Sequence, residues 1–498
     1  MKEKEFLQEV KEINLLESTL ALTEWDRQTG MPEKATDYRA EQDAYLYKLM
    51  FEKSTGPVIR EAMSYFGEHR DELSELGQQV YDKVKENYDN DIAIPADRME
   101  AYTRETSKAY SAWIDARKAE NFQLFKKSLE NLIAFKKEFI PLWRKEEKTP
   151  YDVLLGKYEP ELTVETLDKV FSEVRDGIIA IRKTIEERGI APETDFLSRL
   201  VSKEQQKEFI TKVVEELGYD FSKGRLDDTV HPFMTGFNRN DTRITTRWNE
   251  NDFKMAVFGI IHEQGHGQYE QNIDPKFDYT PLTGGVSMGI HESQSLFQEI
   301  IVGSNRAFWK KQYPFFQEVT QGTFDDIDFE TFYHGLKETH ANFIRIEADT
   351  LTYVLHIIIR YEMEKAIFNE NVNLDTLPEL WNAKYEEYLG IRPSNDLEGI
   401  LQDVHWAGGD FGYFPSYALG YMYAAQLKHA MDKDLDFDAV LASDDYSPIK
   451  NWLNEKIRQY GASRKPKQLI FDATGEDLNP KYLLDYLRQI YFDVYQVE

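Results

Sequence analysis

Apolar residues recur along much of the chain at the spacing of an α-helix. The clearest run follows Thr163 at intervals of three, one, three, four, three and four residues: Leu167, Val170, Phe171, Val174, Ile178, Ile181 and Ile185. This spacing places them on one face of a helix. A second helix is predicted from Ser202, because Gln205 completes a capping box, and it is expected to stop at Gly218. Similar periodicity covers residues 1–20, 37–53, 71–88, 97–147 and 330–368.

Strand-like alternation is scarce. The best example is the β-branched run from Thr242 to Trp248. The 27 glycines and 17 prolines of the 498 residues are not gathered into any linker-like stretch. The pattern therefore predicts one mostly helical domain over residues 1–498, with a small β-sheet.

Composition narrows the partners and the chemistry. Lys and Arg number 60 against 89 Asp and Glu, a net charge of −29, which disfavours nucleic acid and anionic lipid as partners. The absence of cysteine excludes disulfides and thiolate metal sites, so any metal must be bound by His, Asp or Glu. The first ten residues are rich in Lys and Glu and carry no apolar signal core, and the longest apolar run, residues 351–359, is too short to span a bilayer. We therefore expect a cytoplasmic protein without membrane or nucleic-acid partners.

The candidate chemistry is concentrated in the segment His262-Glu263-Gln264-Gly265-His266, which lies in a predicted helix. On a helix, His262 and His266 are one turn apart on the same face, so both imidazoles can reach one tetrahedral ion. Glu263 is offset by one residue, toward a water molecule at that ion. The alternative is a pair of ordinary surface histidines on an amphipathic helix.

A catalytic zinc site usually has three protein ligands and an open position for water. The third ligand must come from outside the helix, and the next candidates lie in the segment 289–294, which opens another predicted helix. Either His291 or Glu292 could serve by spacing, and Glu299 is a weaker candidate on the same face. Spacing alone leaves these three open.

Further motifs accompany this segment in a fixed order. They are Trp25-Asp26, Thr29-Gly30-Met31-Pro32, Tyr151-Asp152 through Glu159-Pro160, His231-Pro232-Phe233, Asp241-Thr242-Arg243-Ile244-Thr245, His291-Glu292-Ser293-Gln294, Ile344-Arg345 with Ala348-Asp349, and Gly399 with Gln402-Asp403 and His405-Trp406. With these motifs the sequence resembles the thermostable carboxypeptidase family, the Taq-type HEXXH zinc metallocarboxypeptidases. The resemblance runs through most of the chain.

This resemblance carries implications of its own. It implies a mostly α-helical, neurolysin-like peptidase fold, with two lobes around a deep groove and a small β-sheet beside the active site, in a homodimer. It also implies Glu292 as the third metal ligand, zinc (Zn²⁺) as cofactor with Co²⁺ as a substitute, and peptides with a free C-terminus as substrates. Members of the family remove C-terminal residues with broad specificity.

Two charged residues are assigned roles in that reaction. Glu263 would be the general base, taking a proton from the attacking water and later passing it to the leaving amine. A carboxypeptidase also needs a cation for the terminal carboxylate, and a guanidinium binds it through two hydrogen bonds. Arg345 is the first candidate because it matches the family motif, with Arg243 and Arg247 behind it. An ordinary salt bridge is the alternative for each arginine.

The remaining candidates are polar aromatic residues. His231 and His405 could donate hydrogen bonds to the substrate, although a lone histidine is more often a packed core residue. The segment 408–417 resembles a glycine and tyrosine loop in which a phenol stabilises the oxyanion. Tyr417 is expected to have this role and Tyr413 is second, with simple packing as the alternative.

Three functions remain in competition at the level of sequence. The leading one is a metallocarboxypeptidase, and the nearest alternative is an endo-acting metallo-oligopeptidase of the same helical clan, which would use the same His262, His266, Glu292 and Glu263. Only the anchor for the terminal carboxylate separates these two. A peptide-binding protein with a structural metal is less favoured, because such a site would need a fourth protein ligand.

Overall fold

Helices form most of the chain, as the apolar spacing predicts. The computed structural model describes residues 1–497. The α-helices in this range are α1 Glu3–Thr29, α2 Thr36–Ser54, α3 Pro57–Glu68, α4 Glu75–Ala93, α5 Ala96–Lys118, α6 Gln123–Trp143, α7 Pro150–Leu155, α8 Val164–Arg188, α9 Lys203–Glu216, α10 Phe253–Gln271, α11 Met288–Leu296, α12 Arg306–Val319, α13 Phe329–Gly335, α14 Tyr353–Asn369, α15 Leu377–Leu389, α16 His405–Gly408, α17 Pro415–Met431, α18 Phe437–Leu441, α19 Ser447–Lys456, α20 Pro466–Thr474 and α21 Lys481–Val494.

Two of these helices confirm their sequence signals in detail. All seven apolar residues of the predicted face of α8 are buried, from Leu167 to Ile185. Helix α9 begins with the predicted capping box: the Ser202 hydroxyl accepts from the Gln205 amide at 3.3 Å, and the Gln205 side chain accepts from the Ser202 amide at 2.9 Å. That helix ends two residues before Gly218.

Two of the periodic segments contain a break between helices. Residues 97–147 form α5 and α6, which are separated at residues 119–122 where Glu120 has a positive φ of 50°. Residues 330–368 are interrupted between α13 and α14. In that interruption Asp349 accepts hydrogen bonds from the amides of Leu351 and Thr352 at 2.8 and 3.0 Å. A carboxylate bonded to nearby amides competes with helix formation, so apolar periodicity alone overestimates the helix.

The predicted strand is the central member of a small sheet. The strands are β1 Leu226–Asp228, β2 Met234–Asn238 and β3 Asp241–Thr246, in the order β1-β3-β2. β1 pairs parallel with β3, and β2 pairs antiparallel with β3. The buried side chains of Thr242 and Ile244 on β3 alternate with the half-buried Asp241 and Arg243. The sheet packs against α10, the helix that carries the histidine motif.

Two glycines let three helices approach one another closely at this point. A Cβ on Gly265 of α10 would lie 2.5 Å from the Gln294 carbonyl oxygen of α11. A Cβ on Gly420 of α17 would lie 2.5 Å from Cγ of Glu292. A larger residue at either position would therefore push α11 away from its neighbours. Among the described residues, no helix is long and apolar enough to cross a membrane.

Candidate metal centre

Three side chains from α10 and α11 converge on one point. The His262 Nε2 atom lies 3.8 Å from Glu292 Oε1, and the His266 Nε2 atom lies 3.5 Å from Glu292 Oε2. One ligand atom from each residue lies within 4.8 Å of the other two. Their side chains are 20%, 17% and 14% exposed, so the site is recessed but accessible. Two imidazoles and a carboxylate form a donor set that fits a catalytic divalent ion such as zinc.

The other ring nitrogen of each histidine is held by a separate partner. The Nδ1 atom of His262 lies 2.8 Å from Glu299 Oε2. The Nδ1 atom of His266 lies 2.6 Å from the Nδ1 atom of His291, whose Nε2 atom lies 3.0 Å from Glu270 Oε1. Both contacts lie on the side of the rings opposite Glu292.

In the neutral form that a metal ligand must have, these contacts set the tautomer of each ring. An ionised carboxylate can only accept, so His262 donates from Nδ1 to Glu299, and His291 donates from Nε2 to Glu270. The Nδ1 atom of neutral His291 must then accept, so His266 donates to it from its own Nδ1. Both Nε2 lone pairs are thereby directed toward Glu292, which is the arrangement that a metal ion requires.

The structure separates the three candidates for third ligand that spacing left open. Glu292 faces both Nε2 atoms, whereas Glu299 and His291 contact Nδ1 atoms and so orient the rings. Glu299 belongs to a stretch of π-helix, Phe297–Val302, that continues α11. Turns of π-helix occur often at functional sites. Here the turn places Glu292 and Glu299, which are seven residues apart, against different nitrogens of His262.

Glu263 lies beside this cluster and is only 9% exposed. Burial raises the pKa of its carboxyl group to about 7; the neighbouring His262 opposes this shift, and the Glu292 and Glu299 carboxylates add to it. A carboxylate whose pKa is close to neutral can both accept and return a proton.

Arg345 begins a single 3₁₀ turn, Arg345–Glu347, between α13 and α14, and it is 7% exposed. Its Nε donates to Asp403 Oδ1 at 2.9 Å, and its Nη1 donates to the Tyr353 hydroxyl at 2.8 Å. The guanidinium carbon lies 5.0 Å from the centroid of the Tyr417 ring. Its Nη2 donates to no other atom of residues 1–497. The salt bridge considered as the alternative for Arg345 therefore exists, and it leaves part of the guanidinium free.

Tyr417 connects Arg345 to the metal cluster. It precedes Gly420 by one helical turn on α17, so it lies on the face that packs against Glu292. Its hydroxyl lies 3.2 Å from His405 Nε2, and its ring centroid lies 5.2 Å from that of Tyr413. Burial lowers the pKa of His405 to about 4, so this ring is neutral at pH 7.

Other predicted residues lie apart from these contacts. His231 is exposed in the loop between β1 and β2. Arg243 donates two hydrogen bonds to Asp241, at 2.8 and 2.9 Å, and its guanidinium lies 4.5 Å from the centroid of the Trp25 ring. Arg247 is exposed. The geometry thus favours Arg345 over the other two arginines as a carboxylate anchor.

Sequence reasoning missed the residues that orient the site. Glu270 follows His266 by four residues on α10, so the same helical spacing that linked the two histidines could have identified it. Asp403 lies within a motif that was recognised, but its pairing with Arg345 joins distant parts of the chain. Tyr353 had no sequence signal.

Replacing His291 with phenylalanine should weaken metal binding without abolishing it. The change removes the acceptor that fixes His266 and leaves Glu270 without its donor. Loss of such an orienting partner typically costs about 10–100-fold in metal affinity. Competition with a chromophoric chelator measures the affinity, and His340→Phe, at an exposed histidine, is the matched control. Unchanged affinity in His291→Phe would show that this contact does not orient the ligand.

The sequence and the fold of this chain match those of one family of known proteins. The family model of the carboxypeptidase Taq (M32) metallopeptidases matches residues 5–491. Carboxypeptidase 1 of Bacillus subtilis is 49% identical over 494 residues, covering 99% of this chain and 98% of the relative. Thermostable carboxypeptidase 1 of Thermus thermophilus is 34% identical, with 97% of each chain covered. The crystal structure of an M32 carboxypeptidase from Deinococcus radiodurans R1 has a TM-score of 0.95 at 33% identity, with 99% of each chain covered.

Proposed function

The chain belongs to the carboxypeptidase Taq (M32) family and is a metallocarboxypeptidase, and on that premise we propose that it uses zinc to remove C-terminal residues from peptides with broad specificity. The observation that carries this proposal is the convergence of His262 Nε2, His266 Nε2 and the Glu292 carboxylate within 4.8 Å, close to Glu263. We further propose that residues 1–498 act as a single catalytic domain. Homodimerisation is proposed on the family resemblance alone.

The metal would be held by His262, His266 and Glu292. When bound, a zinc ion, or cobalt in its place, supplies Lewis acidity that makes a nearby water more acidic and polarises the substrate carbonyl. The roles of the protein are then to position the peptide, to move protons and to bind the negative charge that develops.

Glu263 is the proposed general base. Its carboxylate takes a proton from the attacking water and returns that proton to the nitrogen of the leaving amine. Its near-complete burial supports this role, because burial raises the pKa of the carboxyl group and so makes the carboxylate a stronger base.

Tyr417 is the proposed oxyanion donor. If neutral His405 donates from Nε2 to the phenol oxygen, the phenol proton is free to point at the carbonyl oxygen of the substrate. A donor placed in advance where charge develops stabilises the transition state more than the ground state. Tyr413, one ring away, is the second candidate.

Arg345 is the proposed anchor for the free terminal carboxylate. Asp403 and Tyr353 fix two edges of its guanidinium, so the remaining N–H groups have a defined direction before substrate arrives. A charge-assisted pair of this kind is strong when it is shielded from solvent, and Arg345 is almost completely buried. This anchor is what would make the enzyme an exopeptidase.

A double cycle tests the anchor, with acid and amidated peptides against wild-type and Arg345→Ala enzyme. Amidation should lower kcat/KM by about a hundredfold, because it removes the ion pair with the terminal carboxylate and leaves the remaining buried N–H donors of Arg345 without an acceptor. Arg345→Ala should impose a similar loss on the acid and little further loss on the amide, since both changes delete the same interaction.

Arg392→Ala is the matched control, because Arg392 is an exposed arginine paired with Glu379 and Glu386. If the losses in kcat/KM from amidation and from Arg345→Ala are fully additive, Arg345 is not the anchor, and the same double cycle should be carried out on Arg243. If wild-type enzyme cuts the amidated peptide as fast as the acid, the endo-acting oligopeptidase becomes the better account.

A further inference from the structure

A cavity of about 780 Å³ lies between the N-terminal helices and the chain that follows α7. Residues of α2, α3, α4, α5 and α6 line it together with Lys157, Tyr158 and Phe411. Its lining includes Trp143 and a second lysine, Lys136 of α6. No step of the proposed reaction uses these two lysines.

The two ammonium groups converge on the same aromatic ring. The Lys157 Nζ atom lies 4.0 Å from the centroid of the Trp143 ring, and the Lys136 Nζ atom lies 5.7 Å from it. Lys136 is also 4.8 Å from the ring centroid of Tyr102, and Lys157 donates to Asn90 Oδ1 at 2.8 Å. These contacts hold both cations at the cavity without neutralising them.

Neither lysine has an acidic partner. Within residues 1–497 no carboxylate oxygen lies within 4.0 Å of either Nζ atom, although the chain carries 89 acidic residues. Other charged groups near the two lysines are Asp91 and Arg60, which line the cavity, and Asp410, which accepts from the Tyr158 hydroxyl at 3.4 Å. Glu86 and Glu147 also act on Lys157 electrostatically, from beyond ion-pair distance. Burial lowers the pKa of half-buried Lys136 to about 8, and Asp410 only partly offsets this. An incoming anion would therefore stabilise the charged form of Lys136, and the exposed Lys157 would add a second positive charge beside it.

A row of aromatic rings in contact runs from the wall of the cavity to the catalytic residues. Tyr158 lines the cavity, and its ring centroid lies 5.0 Å from that of Tyr413. Tyr413 lies 5.2 Å from Tyr417, which packs against the Arg345 guanidinium. Because several rings separate the lysines from Arg345, a group bound at the lysines belongs to a different residue of the peptide from the one whose carboxylate Arg345 binds.

We propose that Lys136 and Lys157 form a second anion subsite, which binds an acidic side chain of the peptide on the N-terminal side of the bond that is cut. The inference rests on the proposed function, because it takes Arg345 as the position of the terminal carboxylate. The subsite would add a preference for Asp or Glu upstream of an otherwise broadly accepted C-terminal residue.

A peptide series with a single Glu at each of the four positions before the cut bond, compared with Gln at the same position, tests this subsite. At one position wild-type kcat/KM should be about tenfold higher for Glu than for Gln, in line with a partly shielded ion pair. Lys136→Met should bring this ratio close to one, and Lys136→Arg should keep most of it. Lys137→Met is the matched control, because the neighbouring exposed Lys137 bonds to Asn371.

Two results would overturn the subsite. Equal rates for Glu and Gln at all four positions in wild-type enzyme would do so, as would a preference that survives in the Lys136→Met, Lys157→Met double variant. Removal of the last residue from the Gln peptides by the wild-type enzyme tests the exopeptidase proposal separately, so failure of one is distinguishable from failure of the other.

Discussion

Glutamine in place of Glu263 is expected to lower kcat by about 10³-fold while the protein keeps its metal. The amide cannot accept the proton of the attacking water, and general-base catalysis of this kind is typically worth about 10²–10⁴-fold. The two histidines and Glu292 are untouched by the change, so the donor set remains complete. Steady-state kinetics on a short peptide measures the loss of kcat, and the metal content of the same sample shows whether the ion is retained.

The matched control is Glu318→Gln, at an exposed glutamate on α12. It should turn over at the wild-type rate. Turnover close to wild type in Glu263→Gln would remove Glu263 as the general base. A variant that had lost its metal would instead place Glu263 among the residues that hold the ion.

Alanine in place of Glu292 should abolish both metal retention and turnover. The two Nε2 atoms would be left as the only protein donors, and a catalytic site normally needs three. His262→Ala and His266→Ala should behave in the same way. Metal content after exhaustive dialysis and turnover before and after zinc is added back are the measurements.

The Glu299→Gln variant tests whether Glu299 binds the metal or only orients His262. Glu299 contacts only the Nδ1 atom of His262 within the cluster, so this variant should retain its metal with affinity reduced by about 10–100-fold. If Glu299→Gln lost the ion outright while Glu292→Ala kept it, the two glutamates would have to exchange roles.

The parts of the site that could be predicted from sequence are those set by local helical geometry. His262 and His266 lie on the same face because they are four residues apart on α10. The capping box of α9 and the β-branched strand β3 are equally local signals. Each of these signals depends on a few neighbouring residues, so tertiary packing did not change the local structure that they predict.

The third ligand could not be derived in this way. His291, Glu292 and Glu299 all lie at distances along the chain that a helix can bring back to the ion. The packing of α11 against Gly265 and Gly420, and the π-helix after Leu296, decide which of them faces the Nε2 atoms. The family resemblance supplied Glu292 where spacing could not.

Arg345 shows a second kind of limit. Apolar periodicity indicated helical structure over residues 330–368, whereas the arginine lies in a short 3₁₀ turn between α13 and α14, where Asp349 accepts hydrogen bonds from backbone amides. The functional and structural interpretations of its side chain were treated as alternatives. The structure shows that one guanidinium can pair with Asp403 and still keep donors free.

Anomalous diffraction at the zinc absorption edge, on crystals grown with zinc, tests the central claim most directly. The account predicts one strong peak per chain, about 2.0–2.2 Å from His262 Nε2, His266 Nε2 and a carboxylate oxygen of Glu292. A peak bonded to His291 or Glu299 in place of Glu292, or no peak among these residues, would contradict it.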